Sequence, residues 1–551
     1  MAWYNDAVFY HIYPLGMTGA PKQNDYGAPV SRLRELYPWI SHIRDLGCNA
    51  IYIGPLFESV GHGYETTDYK KVDSRLGTND DFAEFVRLCH GEGIRVIVDG
   101  VFNHTGRDFF AFRDIREKRE HSPYRDWYRG VNFWGNNSFG DGFGYENWGG
   151  FDLLAKLNQQ NGAVKDYICD VIRYWVREFD IDGIRLDAAD VMDHEYMKAM
   201  RRTANEVKAD FWLMGEVIHG DYGRWVNDET LHAVTNYTLH KALYSAHNDH
   251  NYFELAHTVD YVARAVGDTG KLYTFVDNHD VERIASKIQN KADLLPLYVL
   301  LYTLPGIPSL YYGSEFGMEG RKGHGAEADT PLRPMLRYED YREAIHTNPI
   351  TKLIAALGRI RRETPALRRG DYRQLLLQTT HFAFARTCEG SEAIVTVNNA
   401  DHSLTMELHV ADGAYVGALT GATATAENGS LRVEVPPHSG EIWRRADQCG
   451  DCEPMEPIVT AVPVVVEEPV KTDEAAPVVV DTPVIKEETK QEVVEEVTAI
   501  PATPYEEMTV AQLQAVILGK MAKNGPVTDY MRGTVEENTH HGSLVTWARS
   551  F

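Results

Sequence analysis

Nine consecutive residues, DGIRLDAAD (182–190), hold three aspartates and an arginine beside an apolar run. On a strand, side chains alternate, so Ile184 and Leu186 face one way while Arg185 and Asp187 face the other. A charged pair aimed into a sheet interior is costly unless it is paired or used. Two readings follow: a buried Arg185–Asp187 ion pair that holds strand ends together, or part of a reaction site. Other apolar runs end the same way. IRVIVDGVFNH (94–104) carries Asp99, Asn103 and His104, FWLMGEV (211–217) carries Glu216, and LYTFVDNH (272–279) runs into His279 and Asp280. Acids, histidines and an arginine gathered in one mouth could ligate a metal or do paired-carboxylate chemistry.

Such a mouth needs elements to build it. Eight strand-like runs occur at fairly regular intervals: 7–14, 49–56, 94–104, 182–188, 211–217, 233–237, 272–279 and 307–315. Helical patterns such as VKDYICDVIRYWVREF (164–179) and HEYMKAMRRTANEVK (194–208) lie between them. Alternating β and α units over about 350 residues predict an α/β fold, a closed (β/α)8 TIM barrel, with active-site groups at the C-terminal ends of the strands. The barrel is expected over 1–104 and 161–355. An inserted lobe after strand 3 (105–160) is rich in Gly, Asn and aromatics, which fill a small core or stack on a ligand. From about 370 to 446 the period changes to two (HFAFARTCEGSEAIVTVNN), predicting a C-terminal antiparallel β-sandwich over 356–446. Residues 447–505 collapse into Pro, Val and Glu and read as an acidic, disordered linker. The segment 506–551 holds a short helix with a Thr509/Gln512 capping box and an apolar stripe of Val510, Leu513, Ile517 and Met521.

The net charge of −25 excludes nucleic acid and anionic membrane as expected partners. Six cysteines are too few and too scattered for a disulfide framework. Cys449 and Cys452 form a lone CGDC, a weak metal motif without a second pair. With no signal-peptide pattern at MAWYNDAVFYHIYP and no membrane-length apolar run, a cytoplasmic protein is expected.

DGVFNH (99–104), GIRLDAAD (183–190), GEVIHG (215–220) and FVDNHD (275–280) together resemble the four conserved regions of the α-amylase family of glycoside hydrolases (family 13), in the right order. The resemblance covers residues 5 to about 446. It implies that Asp187 is the nucleophile, Glu216 the general acid/base and Asp280 the acid that stabilises the transition state. Arg185 resembles the arginine that orients the nucleophile, and His104 and His279 the pair that bonds sugar hydroxyls. Tyr64, in GHGYETTDY, resembles the tyrosine stacking under the sugar, and Asp329 and Arg333, in ADTPLRPM, are similar to a pair at the next sugar. Chemistry agrees: an oxocarbenium-like transition state needs a nucleophile below the ring and a proton donor at the leaving oxygen. Arg185 is expected to keep Asp187 ionised, and Glu216, with no cation in its own motif, to hold a proton.

LLAKLN (153–158) and GEVIHGDYGRW with AVTNY, carrying His219, Trp225 and Asn236, lean toward the neopullulanase, cyclomaltodextrinase and maltogenic amylase group. Ile218 stands where that group has tryptophan. The first barrel run starts within ten residues of the N-terminus, so the group's extra N-terminal domain is not expected. No cofactor is required and no metal is assigned. Calcium is disfavoured because Asn103 matches a ligand position but Val191 stands where a histidine is usual. The resemblance thus implies a retaining hydrolase of α-glucan oligosaccharides, mainly α-1,4, with transglycosylation. Alternatives are a sucrose- or α-1,6-directed member, or a non-catalytic sugar-binding scaffold, against which the intact acids argue. Self-association or a protein partner is expected through the C-terminal helix.

Overall fold

The computed structural model describes residues 2–267, 271–448, 509 and 512–516. Eight parallel strands close a barrel: β1 (Phe9–Ile12), β2 (Ala50–Ile53), β3 (Arg95–Gly100), β4 (Gly183–Leu186), β5 (Trp212–Gly215), β6 (Ala233–Thr235), β7 (Leu272–Phe275) and β8 (Ile307–Tyr311). They follow one another around the barrel in chain order, and β8 returns to pair with β1, Ser309 beside Phe9. Every one lies inside a run read from the sequence. The runs overshoot chiefly at their C-terminal ends, where polar side chains leave the ladder. The third run divides: β3 stops at Gly100, and His104 opens a strand of the lobe (His104–Gly106).

Period-two alternation fills the barrel. Phe9, Ala50, Ile97, Trp212, Met214, Ala233, Tyr273, Phe275 and Ile307 form one apolar plug. Gly183 makes room for it, since a Cβ there would lie 2.5 Å from the Trp212 carbonyl oxygen and 2.9 Å from an Ile97 methyl. Two residues further along their strands, buried His11, Tyr52, Asp99 and Arg185 replace the apolar positions. Ile51, Val96, Ile184 and Leu186, on the other strand face, join the larger core with the helices. The helix Gly162–Phe179 shows why these segments dock: Asn161 caps its start, Asp180 in a left-handed conformation ends it, and Ile168, Ile172 and Phe179 are buried. Each such burial contributes roughly 1.5–3 kcal/mol.

In the lobe, the strand Phe151–Lys156 pairs with His104–Gly106 and with Asn147–Trp148. Phe112, Tyr128 and Phe143 are buried there, whereas Trp134 is 97% exposed, so the lobe's aromatics divide between core and surface. The C-terminal region is antiparallel: β9 (Asp371–Leu377), β10 (His381–Cys388), β11 (Ser391–Asn398), β12 (Leu404–His409), β13 (Gly413–Gly417), β14 (Thr423–Glu427), β15 (Ser430–Val435) and β16 (Ser439–Arg445). Hydrogen bonding joins them into one continuous sheet, in the order β9-β10-β11-β16-β13-β14-β15-β12. It wraps a core of its own that includes Ile394, Met406, Leu408, Tyr415, Leu431 and Trp443.

Residues 512–516 of the tail are helical, and Thr509 and Gln512 form the expected reciprocal cap, Thr509 N–H donating to Gln512 Oε1 at 2.8 Å. Val510, Ile517, Met521 and the CGDC cysteines lie outside the described residues. Among the described residues no helix is long and apolar enough to cross a membrane.

Candidate active site

Asp187 and Glu216 each stand one residue past a strand end, and the barrel ladder continues beneath them. Asp187 N–H donates to Gly100 O (3.1 Å) and Glu216 N–H to Leu186 O (2.9 Å). Register puts both Asp99 and Met214 beside Arg185, which is 2% exposed between the strands. Its Nη1 donates to Asp99 Oδ1 at 2.8 Å and to Asp187 Oδ1 at 2.9 Å, while Nη2 lies 2.8 Å from Glu216 Oε2. One cation therefore holds three carboxylates. The motif of Glu216 holds no cation, as read from the sequence, but the adjacent strand supplies Arg185. The next residue, Ala188, is left-handed (φ 49°, ψ 41°), which is uncommon for a residue with a Cβ. That turn aims its N–H at Glu216 Oε2, 3.3 Å away. Strain of this kind gathers where a site must be held in place.

Charge follows geometry. Burial pushes the Asp187 carboxyl up; Arg185 opposes, but Glu216, Asp99 and Asp280 add to the rise, and the group ends well above the usual carboxylate range. The expectation that Arg185 keeps Asp187 ionised thus meets a stronger opposing effect in the free site, where Asp187 shares one guanidinium with Asp99 and Glu216. Asp280 goes the other way. Burial alone would raise it, but His279, with Nε2 3.0 Å from Oδ2, and Arg333, with Nη2 2.7 Å from Oδ1, hold it well below that range. Acids pushed apart in this manner mark a division of roles.

Around Asp280 the remaining predicted residues assemble. Arg333 also bonds Asp329 Oδ2 (3.2 Å) and the His279 carbonyl (3.0 Å). Tyr64 donates its hydroxyl to Asp99 Oδ2 (3.2 Å) and contacts His279 Nε2. The His279 ring lies nearly parallel to Tyr64 (13°, centroids 5.8 Å apart) and to Tyr13 (11°, 5.9 Å). His279 Nδ1 has no hydrogen-bond partner among the described residues. His104 sits deeper, its Nε2 3.2 Å from the Tyr64 carbonyl oxygen, and burial pushes its imidazole down to about 3, so it is neutral. Asn103 bonds the same ring, and its Oδ1 accepts from Gln159 Nε2 at 3.0 Å. The oxygen considered for calcium is thus already engaged.

Asp187, Glu216, Asp280, Arg185, His104, His279, Tyr64, Asp329 and Arg333 are all brought into one connected region. Sequence reasoning missed His11, Tyr13 and Tyr52. Tyr52 donates to Asp99 Oδ2 at 2.8 Å, and the His11 ring stacks on Tyr52 at 4.2 Å. All three lie at or just past the C-terminal ends of β1 and β2, as Asp99 does on β3, so the strand-end rule that picked out Asp99 applies to them equally. Tyr237 and Asn278, which also touch the site, lie at the ends of the sixth and seventh runs, where the same rule applies.

The model of the alpha amylase catalytic domain matches residues 33–365. The chain belongs to the α-amylase family. A cyclomaltodextrinase of Geobacillus thermopakistaniensis is 30% identical over 469 residues, covering 80% of this chain and 77% of the relative. An intracellular maltogenic amylase of Bacillus subtilis is 27% identical over 423 residues, 72% and 69% of the two chains. A solved cyclomaltodextrinase structure superposes with a TM-score of 0.71 at 26% identity, over 80% of this chain and 78% of the other.

The residues that lean toward that group within the family divide by burial. Ile218 (40% exposed) and His219 lie open just past Glu216. Trp225 is buried, and Asn236 caps the helix Tyr237–Asn248 by accepting from Leu239 N–H. Of LLAKLN, Leu154, Ala155 and Lys156 pair with the strand His104–Gly106, and Leu157 N–H donates to Asn103 O (3.0 Å), which clamps the lobe to the barrel end.

Proposed function

We propose that this enzyme hydrolyses α-1,4-glucosidic bonds in maltooligosaccharides, cyclodextrins or related α-glucans with retention of configuration, and transfers glycosyl groups to sugar acceptors as a side reaction. One observation carries the reading: a single buried guanidinium grips Asp187 and Glu216 from adjacent strands. That grip suits the roughly 5–5.5 Å carboxyl separation of retaining enzymes. Asp187 attacks the anomeric carbon while Glu216 gives its proton to the departing oxygen. Water then attacks the glycosyl-enzyme with Glu216 as base. Positive charge growing at the anomeric carbon favours the Asp187 anion that attacks it. Asp280, held ionised by His279 and Arg333, supports the same charge.

Tyr64 stacks beneath the sugar, and His104 and His279 bond its hydroxyls. Asp329 and Arg333 serve the neighbouring sugar, and Ile218 meets the acceptor. The reaction requires no cofactor. A relative named as intracellular supports a cytoplasmic setting. The capped tail helix suits self-association or a protein partner. Product analysis on maltotriose, pullulan, cyclodextrin and sucrose tests substrate class: cleavage of the first three with sucrose left intact is expected, and exclusive turnover of sucrose or of α-1,6 bonds would overturn it.

A further inference from the structure

Glu216 Oε2 is held by Arg185 and the Ala188 N–H, but Oε1 has a different partner, the hydroxyl of Tyr237 at 3.2 Å. Tyr237 is the first residue of the helix Tyr237–Asn248, which follows β6, and its ring meets Phe275 edge-on at 4.9 Å. The direction of its hydroxyl proton is decided by Asn278. Asn278 Oδ1 accepts from the backbone N–H groups of Asp280 (2.8 Å) and Val281 (3.1 Å), which leaves its amide Nδ2 to donate to Tyr237 Oη at 3.1 Å. The phenol oxygen is occupied as an acceptor, so its O–H points at Glu216. An unbroken polarised chain thus runs from the Asp280 backbone through Asn278 and Tyr237 to Glu216.

Resting on the reading of Glu216 as proton donor, we propose that Tyr237, oriented by Asn278, is a positioning residue that aims the Glu216 carboxyl at the leaving oxygen and ties it to the loop carrying Asp280. Two of the three donors on Glu216 lie at one oxygen; without Tyr237 the other oxygen is untethered and the carboxyl can swing about its last side-chain bond. A hydrogen bond donated to a carboxylate also favours its ionised form. Losing that bond leaves the proton harder to remove, so the alkaline limb of the pH–rate profile moves up.

The test is Tyr237→Phe, which keeps the ring on Phe275 and removes only the hydroxyl. On maltotriose, kcat is expected to fall about tenfold with KM within about twofold, and the alkaline limb to rise by roughly half to one pH unit. On an aryl glycoside with a good leaving group the first step is expected to be nearly unchanged, because little protonation is needed there. Asn278→Ala, which frees the phenol to rotate, is expected to shift the limb the same way by less. Equal losses on both substrates with an unmoved limb and an unchanged Tm would overturn the proposal. Glu216→Gln on the same two substrates keeps the outcomes separate: if that variant still hydrolyses maltotriose, the assignment of Glu216 fails whatever Tyr237 does.

Discussion

Two buried arginines in this protein sit beside aspartates two residues away, and they do opposite things. Arg75 follows the strand Thr66–Val72 and is 4% exposed, against 2% for Arg185. Its Nε and Nη2 grip the two oxygens of Asp73 at 2.8 Å each, and its Nη1 donates to the carbonyls of Pro21, Lys22 and Gly61. Asp73 also accepts from Ser59 and from the Arg75 N–H. One cation meets one anion, and neutral donors and acceptors take up what is left. Arg185 also pairs with a neighbour on its own segment, but it shares its charge with three carboxylates, and Asp187 and Glu216 project past the strand ends. Burial and pairing do not distinguish a scaffold from a site; charge balance does. A closed, neutral pair holds loops together. An over-acidic cluster stores repulsion that a positively charged transition state can relieve.

The largest effect should come from breaking the open cluster chemically. Glu216→Gln is expected to lower maltotriose hydrolysis by roughly 10²–10⁴-fold while sparing the first step on an activated aryl glycoside, measured by burst kinetics. Proton NMR of the first product formed should show the α-anomer; an initial β-anomer would contradict the placement of the two acids on adjacent strands.

The closed pair should answer in stability instead. Asp73→Asn leaves Arg75 buried without its counter-ion and is expected to cost about 3–5 kcal/mol in denaturant unfolding, with the turnover of the molecules that remain folded little changed. An equal loss of turnover per folded molecule would erase the distinction between the two arginines.

Asp187→Asn should abolish turnover yet raise stability, by on the order of 1 kcal/mol, because it removes repulsion stored for function. Asp187 binds its proton more tightly folded than unfolded, so its contribution to stability falls as pH rises from the ordinary 3.8 toward the raised folded value. The variant's gain in Tm should therefore be larger at neutral pH than at pH near 4. A Tm that drops at neutral pH would mean that the bond to Arg185 outweighs the crowding. The smallest change should follow truncation after about residue 446: turnover on maltotriose within about twofold, with light scattering showing whether association is lost.

The sequence by itself determined the eight barrel strands, the lobe, the change of period near 370 and every acid of the mouth. These depend on local pattern, because alternation within a strand and polarity at its end are properties of a few neighbouring residues. It also offered the Arg185–Asp187 pair, which is two residues apart on one strand. What it could not show was anything set by register between strands. The reach of Arg185 to Glu216, the crowding that raises Asp187, and the chain from Asp280 through Asn278 and Tyr237 all join segments tens of residues apart. So do the contacts of Tyr13 and Tyr52. A motif read alone reports its own neighbours, and Glu216 has no cation among them. The cation arrives only when β4 and β5 pair, because parallel strands about 4.8 Å apart place a long guanidinium within reach of both carboxylates.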